Sequence, residues 1–212
     1  MTQSIAIIDY GCGNLASVQK AVSALGYQPE LVSDPAMLLN CGRAILPGVG
    51  SFSAAMGDMG RTGLGESVRE FCGRGNPLLG ICLGMQLLAS EGAEGSSGQD
   101  GGLVRGLDLI PGQVVSLESL GVRLSIPHVG WNTLLQKKQS SLFNGVEDGA
   151  DVYFVHSFGF SPDDKAHLIA TTEHDIEISA VVARDNVTGC QFHPEKSSKI
   201  GSRILQNWAS SC

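Results

Sequence analysis

The sequence predicts an α/β protein with a central, mostly parallel sheet flanked by helices and an added β-rich C-terminal half. In the first 90 residues, short continuous apolar runs alternate with segments of helical spacing, a pattern typical of strands buried on both faces. Beyond residue 102 the pattern changes to successive strand-like runs. Because 212 residues suffice for one sizeable core, we expect a single domain, 1-212.

The predicted elements of the N-terminal half alternate between strand and helix. The first strand is the apolar run over residues 4–10, and a helix over 15–25 follows it, closed by Gly26. Further strands are predicted at 30–32, 44–47 and 77–81, and further helices from about Ser51 and over 63–72. This alternation implies parallel strands with right-handed crossovers, a flavodoxin-like arrangement.

The C-terminal half begins after a Gly/Ser-rich loop at residues 92–102. Strands are predicted at 113–117, 122–126, 152–158, 167–172, 178–183 and 189–192, and a turn at Asp185-Asn186 separates the last two. A helix over residues 199–208 ends the chain. We therefore expect a mainly β second half.

Composition excludes several classes of function. A net charge of −7 with 14 Lys and Arg residues argues against nucleic acid or an anionic membrane surface. No apolar run reaches spanning length, and residues 1–4 lead into a strand rather than a signal peptide. Six cysteines without a C-x-x-C pair indicate reduced thiols and a cytoplasmic protein. We expect no metal and no cofactor.

The most specific chemical signal is Gly80-Ile81-Cys82-Leu83-Gly84, which follows an apolar run and precedes a helical segment. This G-x-C-x-G spacing is typical of a nucleophile elbow, a tight strand-to-helix turn. The glycines let the chain fold back without Cβ clashes, and the helix dipole favours thiolate over thiol. A structural buried thiol is the commoner fate of a free cysteine. The paired glycines nevertheless favour Cys82 as a nucleophile.

A nucleophilic thiol needs a base, and His193-Pro194-Glu195 offers one near the C-terminus, after a strand-like run. His193 can accept the thiol proton and return it to a leaving amine. Glu195 can orient the imidazole and stabilise the imidazolium. A lone histidine is more often structural, but this one occurs together with an elbow cysteine. The sequence therefore predicts a triad of Cys82, His193 and Glu195.

These motifs resemble the class I, triad-type glutamine amidotransferases, and the resemblance extends from about residue 5 to residue 208. Other sequence blocks restrict this resemblance to the amidotransferase subunits of histidine biosynthesis. Those blocks are Tyr10-Gly11-Cys12-Gly13-Asn14-Leu15, Pro47-Gly48-Val49-Gly50-Ser51-Phe52, His128-Val129-Gly130-Trp131-Asn132, Tyr153-Phe154-Val155-His156-Ser157-Phe158 and His193-Pro194-Glu195-Lys196-Ser197.

Attack on an amide passes through an oxyanion, which needs two aimed donors. The elbow offers the backbone N–H of Leu83. The glycine-rich loop Gly48-Val49-Gly50 can turn a second N–H inward, although a plain turn is the alternative. The resemblance implies that this second donor lies near Val49 and turns inward when the partner binds its substrate.

The glutamine pocket is expected beside the elbow. Gln86, one helical turn after Cys82, can hydrogen-bond glutamine, or it can be an ordinary surface residue. The resemblance assigns His156-Ser157-Phe158 to the pocket, where an ordinary strand end is the alternative. It also implies a partner-facing surface that includes Asn14, Trp131, Asn132 and Lys196.

The resemblance implies hydrolysis of L-glutamine to glutamate and ammonia. The chain has no nucleotide or sugar-phosphate domain of its own, and ammonia released into neutral water is mostly ammonium. We therefore expect a heterodimer with a (β/α)8-barrel cyclase subunit that receives ammonia through a dry passage. Activity should be low alone and should rise when the partner's ligand binds, which is an allosteric coupling.

Two alternatives stay open. A paralogous subunit feeding a surface-sugar synthase would carry nearly the same motifs. A non-hydrolytic flavodoxin-like protein with a reactive cysteine would need no His193 and Glu195. The run Gly11-Cys12-Gly13-Asn14-Leu15-Ala16 formally fits a dinucleotide fingerprint, but the second half lacks another βαβαβ unit.

Overall fold

The computed structural model describes residues 3–11, 14–95 and 102–211. The helices are α1 (Leu15–Ala24), α2 (Pro35–Leu38), α3 (Phe52–Thr62), α4 (Leu64–Gly73), α5 (Leu83–Gln86), α6 (Leu117–Leu120) and α7 (Ser198–Ser210). The strands are β1 (Ser4–Ile8), β2 (Gln28–Val32), β3 (Ala44–Gly48), β4 (Leu78–Cys82), β5 (Glu91–Gly92), β6 (Val104–Arg105), β7 (Gly112–Ser116), β8 (His128–Gln136), β9 (Ala150–His156), β10 (Phe158–Pro162), β11 (Leu168–His174), β12 (Ile176–Arg184) and β13 (Val187–Cys190).

One nine-stranded sheet organises the fold, in the order β2-β1-β3-β4-β13-β12-β11-β8-β9. The strands from β2 to β13 pair in parallel, and those from β13 to β9 pair antiparallel. A second sheet has the order β10-β7-β5-β6. The predicted α/β fold is confirmed. Most strands of the β-rich half extend the large sheet, whereas β6, β7 and β10 belong to the second sheet.

Two apolar layers cover the parallel strands. Ile5 and Ile7 of β1 belong to a buried cluster that includes residues of α1 and α7. Ala6 and Ile8 belong to the opposite cluster, with residues of α3 and α4. Successive strand residues point to opposite faces, so a strand that is apolar at every position is buried on both. This is why the N-terminal strands appear as continuous apolar runs.

The helices near the elbow begin and end at residues with a clear physical role. The Ser51 hydroxyl accepts the Ala54 N–H at 3.4 Å and caps α3. Gly63, at φ 78°, ends that helix in the left-handed conformation that glycine tolerates best. The predicted helix start near Ser51 is therefore right.

One predicted strand is wrong, and another is divided between two strands of the structure. Residues 122–126 form no strand, and their alternate apolar side chains Leu124 and Ile126 are 52% and 39% exposed. Period-two alternation indicates a strand only when the apolar face is buried. The predicted strand 152–158 is divided at Ser157 between β9 in the large sheet and β10 in the small one.

Further elements were not predicted, among them β5, β6, β8, α2 and α6. The turn at Asp185-Asn186 is present between β12 and β13. Most of the predicted loop at 92–102 lies outside the described residues, apart from the end of β5 and residues 93–95 and 102. Among the described helices, none has the length and apolar character that a bilayer crossing requires.

Candidate active site

The predicted elbow is a strained turn between β4 and α5. Cys82 has φ 54° and ψ −111°, a region that non-glycine residues rarely adopt, and it is buried. A Cβ on Gly84 would overlap the Leu46 carbonyl oxygen, and one on Gly80 would come within 2.6 Å of the Gly84 carbonyl oxygen. Both glycines are therefore required by backbone packing, as the sequence predicts.

The parallel half of the sheet brings distant segments to the elbow. Strand β4 lies between β3 and β13, with Gly48 opposite Cys82 and Cys190 opposite Ile81. The carboxyl ends of the three strands therefore meet at one edge, where open α/β sheets bind ligands. The segment that follows β13 carries His193 into this edge.

His193 and Glu195 form a buried pair beside the thiol. His193 Nδ1 lies 2.8 Å from Glu195 Oε1, and their side chains are 2% and 1% exposed. Burial by itself lowers the pKa of His193, but a hydrogen bond to Cys82, the bond to Glu195 and both charges outweigh it and raise the pKa to about 9. The imidazole is therefore protonated at neutral pH. Hydrogen bonds therefore connect the thiol to the imidazole and the imidazole to the carboxylate.

Asn14 adds a further hydrogen bond to this series, at the carboxylate of Glu195. Its Nδ2 donates to Glu195 Oε1 at 3.2 Å, so that oxygen accepts two hydrogen bonds. The resemblance implied that Asn14 lies at a partner surface near the pocket, and the structure puts it in contact with the carboxylate. Because 181 residues separate the two, no local pattern could have revealed the contact.

A cavity of about 230 Å³ opens at Cys82. Its volume is below the range usual for drug-sized ligands and suits a molecule of amino-acid size. It is lined by predicted site residues, namely Val49, Gly50, Leu83, Gln86, His156, Ser157, Phe158, His193 and Lys196, and also by Glu94 and Val155. The structure therefore brings the predicted elbow, oxyanion loop and pocket residues around one space.

The loop after β3 lies directly over the elbow. A Cβ on Gly48 would come within 2.7 Å of the Gly84 nitrogen, so only glycine allows this approach. Gly50 has φ 97°, which also favours glycine, and Val49 between them is 39% exposed. The loop is thus shaped by its contact with the elbow and not only by a turn.

Gln86 is a buried residue of the site, not a surface glutamine. Its Nε2 donates to the Phe158 carbonyl and to Gln191 Oε1, each at 3.1 Å. Gln191 was missed, although its own Nε2 lies 3.9 Å from Cys82 Sγ. No local signal marked Gln191, because its partners Gln86 and Cys82 are 105 and 109 residues away in the sequence.

Two further groups near the cavity were also missed. Cys82 Sγ lies 3.7 Å from the Val155 carbonyl oxygen. Glu94 lines the cavity and accepts the Phe52 N–H at 3.1 Å. Burial raises the pKa of Glu94, and the Phe52 N–H opposes that rise. Glu94 stands in the Gly/Ser-rich segment for which the sequence predicted only a loop.

An exposed apolar patch lies on β8 and β9, the two strands at one edge of the large sheet. Val129 and Val155 are opposite each other in the register, and Val129, Trp131 and Val155 are 55%, 54% and 36% exposed. Trp131 contacts Tyr153 edge-on, at 6.0 Å between ring centroids. Val155 also lines the cavity, so this β8/β9 patch borders the site.

Asn132 and Lys196, the other two residues predicted at the partner surface, lie in different places. Asn132 directs its Nδ2 to His128 Nε2 at 3.0 Å, inward from the patch. Lys196 is exposed and lines the cavity. Over residues 3–11, 14–95 and 102–211, no three His, Cys, Asp or Glu side chains are grouped so as to hold a metal.

A thiol on an elbow, backed by imidazole and carboxylate, is the arrangement of cysteine-dependent hydrolases on an α/β scaffold. The chain belongs to the family Glutamine amidotransferase class-I, whose sequence profile matches residues 6–212. The resemblance predicted from the motifs is thereby confirmed.

Relatives and solved structures agree with this family. The chain is 46% identical over 204 residues to "Imidazole glycerol phosphate synthase subunit HisH" of Moorella thermoacetica, covering 96% of this chain and 93% of that protein. It is 48% identical over 209 residues to the subunit of the same name from Geobacillus sp. WCH70, covering 97% and 96%. A crystal structure of a glutamine amidotransferase superposes with a TM-score of 0.73 at 18% identity over 96% of both chains, which supports the fold.

Proposed function

We propose that this chain is the glutamine-hydrolysing subunit of an imidazole glycerol phosphate synthase, acting in histidine biosynthesis. The observation that carries the proposal is the buried line of Cys82, His193 and Glu195 at a cavity of amino-acid size. The relatives that share its length carry that synthase subunit's name at 46% and 48% identity. The substrate is L-glutamine, and the products are glutamate and ammonia.

The reaction uses one histidine as the proton carrier in both of its steps, the formation and the hydrolysis of a thioester. Before glutamine binds, the thiol proton already resides on His193, and the sulfur of Cys82 attacks the side-chain amide carbon of glutamine. The tetrahedral oxyanion then collapses, the C–N bond breaks, and ammonia leaves with the proton from His193. A water molecule, deprotonated by His193, attacks the thioester, and glutamate leaves. Glu195 stabilises the imidazolium that forms each time.

The raised pKa of His193 suits this cycle. An imidazole with a pKa of about 9 keeps the thiol proton between the two steps at neutral pH. The oxyanion would be bound by the N–H of Leu83 and an N–H of the Gly48-Val49-Gly50 loop, because Leu83, Val49 and Gly50 all line the cavity.

The synthase name of the relatives implies a partner subunit, and we propose that it is a (β/α)8-barrel cyclase in a heterodimer. The β8/β9 patch supports this, because exposed apolar side chains that border a site mark contact surfaces. The partner would receive ammonia through a dry passage and form imidazole glycerol phosphate and aminoimidazole carboxamide ribonucleotide. Binding of its nucleotide would raise glutaminase activity, and the oxyanion loop would change conformation.

We also propose a single domain and a cytoplasmic location. The two halves share one sheet, which supports one folding unit for the chain. Cys41, Cys72, Cys82 and Cys190 are free thiols within the described part of the chain. Free thiols fit a reducing compartment, where disulfides are rare.

The test is glutamate release by the purified chain, measured alone, with the cyclase subunit, and with cyclase plus its nucleotide. We expect little release alone, a strong rise with partner and nucleotide, and none from Cys82→Ala. Full activity in Cys82→Ala would exclude this nucleophile. If the rate of glutamine hydrolysis is the same with and without the cyclase, the glutaminase activity stands and the role in histidine biosynthesis is excluded.

A further inference from the structure

Ser197 ends the sequence block that contains His193 and Glu195, but it neither reacts with glutamine nor lines the cavity. Its side chain is 0% exposed, so its hydroxyl has no access to bulk water. Burying a hydroxyl costs free energy unless it is hydrogen-bonded. The partners of this hydroxyl therefore indicate why a serine stands at this position.

The Ser197 hydroxyl joins two segments of the chain that are far apart in sequence. Its Oγ donates to the main-chain carbonyl of His193 at 2.6 Å and accepts the N–H of Tyr153 at 2.9 Å. A carbonyl can only accept and a backbone N–H can only donate, so the direction of both bonds is fixed. The hydroxyl therefore connects the main chain of the histidine base to strand β9.

A third hydrogen bond completes this connection. The His193 N–H donates to the Tyr153 carbonyl at 2.9 Å, so both main-chain groups of Tyr153 bind the segment that carries the base. The order of the large sheet ends with β9, and main-chain groups at a sheet edge need partners other than a neighbouring strand. We call the three bonds among Tyr153, His193 and Ser197 the edge clamp.

Helix α7 confines the same segment from a second element. The Gly201 N–H donates to the Ser197 carbonyl at 2.9 Å, and a Cβ on Gly201 would lie 2.0 Å from the Pro194 carbonyl oxygen. The first turns of α7 therefore pack closely on the residues between the base and the helix. With its main chain held in this way, His193 can direct its Nδ1 to Glu195 at 2.8 Å.

We propose that Ser197 is a positioning residue for the general base, and that the edge clamp fixes the main chain of His193 so that its imidazole meets Cys82 and Glu195 together. The inference rests on the proposed function, because it concerns the base of that same reaction. A proton carrier that serves two steps must keep one position, since a misplacement of about 1 Å can lower a rate roughly 100-fold. Ser197 acts through His193 and touches no reacting atom.

The protonation of His193 provides a readout that a loss of stability alone would not change. The titratable groups that face its ring are Cys82, Glu195 and His156. The bonds to Cys82 and Glu195 raise the pKa of His193 to about 9 against the effect of burial, and His156 is neutral because its pKa is lowered to about 3. A displaced ring loses these bonds but stays buried, so its pKa should fall.

The test compares Ser197→Ala with Ser202→Ala in the complex with the cyclase and its nucleotide. Ser202 is the matched control, because its exposed hydroxyl also donates to a main-chain carbonyl, that of Ser198, at 3.0 Å. We expect Ser197→Ala to lower kcat about tenfold, the effect of one lost buried hydrogen bond. The KM for glutamine should not change, because neither Ser197 nor Tyr153 lines the cavity. The alkaline limb of kcat/KM should move to lower pH.

Ser202→Ala should keep kcat, KM and the alkaline limb of the unmodified protein. An unchanged kcat or an unmoved alkaline limb in Ser197→Ala would overturn the proposal, and so would an equal loss of kcat in Ser202→Ala. If Ser197→Ala does not fold, Ser197→Cys decides by the same criteria, because a thiol of similar size is a weaker donor and acceptor. Absence of glutamine hydrolysis in the unmodified complex would instead refute the proposed function.

Discussion

Replacing Glu195 by Gln removes the negative charge that holds the imidazolium while preserving the size of the side chain. Glu195 Oε1 accepts from His193 Nδ1 at 2.8 Å and from Asn14 Nδ2 at 3.2 Å, and the side chain is 1% exposed. A hydrogen bond to a charged group contributes about 1.5 to 3 kcal/mol, so kcat/KM should fall roughly 10- to 150-fold.

The same substitution should also change the pH profile. The carboxylate helps to raise the pKa of His193 to about 9, and a neutral amide no longer opposes the lowering that burial causes. The alkaline limb of kcat/KM for glutamine should therefore move to lower pH in Glu195→Gln. The assay is glutamate release between pH 6 and 10 by the complex with the cyclase.

Asn14→Ala provides the matched control, because it removes a neutral donor from the same oxygen and keeps the charge. Its loss should be smaller, about fivefold, and the alkaline limb should stay in place. An unchanged alkaline limb in Glu195→Gln would refute the argument that this carboxylate stabilises the imidazolium. A larger effect in Asn14→Ala than in Glu195→Gln would refute it as well.

Three other predictions concern stability and assembly. Gly84→Ala should lower the free energy of unfolding by about 2 kcal/mol or prevent folding, because its Cβ overlaps the Leu46 carbonyl, and thermal melting measures this. As pH falls from 6.5 to 5, the free energy of unfolding should decrease. His156 and His128 bind protons in this range in the unfolded chain, but they stay neutral in the folded protein because their pKa values are lowered. Between pH 6.5 and 5, His156 alone should change the free energy of unfolding by about 1.4 kcal/mol per pH unit. Chemical denaturation of His156→Phe at several pH values should show a pH dependence smaller by that amount. Trp131→Ala should weaken cyclase binding about tenfold by calorimetry without changing the melting temperature, and an unaltered Kd would remove the β8/β9 patch from the interface.

Much of the site was predictable because it is encoded locally. The elbow needs glycines at fixed spacing, and the backbone overlaps at Gly80 and Gly84 give the physical reason. His193 and Glu195 are two residues apart and hydrogen-bond directly. Continuous apolar runs predicted β1, β3 and β4 because those strands are covered on both faces.

What the sequence did not predict depends on long-range packing. Strand β8 was missed because its outward face carries Val129 and Trp131 while buried His128 faces inward, which reverses the usual alternation. Residues 122–126 show the usual alternation, and Val122 is buried, but Leu124 and Ile126 are exposed. Gln191 gains its partners Gln86 and Cys82 from segments more than 100 residues away, so only the fold could reveal these two contacts.

The most direct test of Cys82 as the nucleophile for glutamine is covalent labelling with a glutamine-analogue alkylating agent, located by peptide mass mapping. Burial raises the pKa of Cys72 to about 12 and also raises those of Cys41 and Cys190, so these thiols should remain unreactive. We predict one adduct, on Cys82, which excess glutamine suppresses and His193→Ala slows. Labelling at another cysteine, or labelling of Cys82 that glutamine does not affect, would contradict the proposed active site.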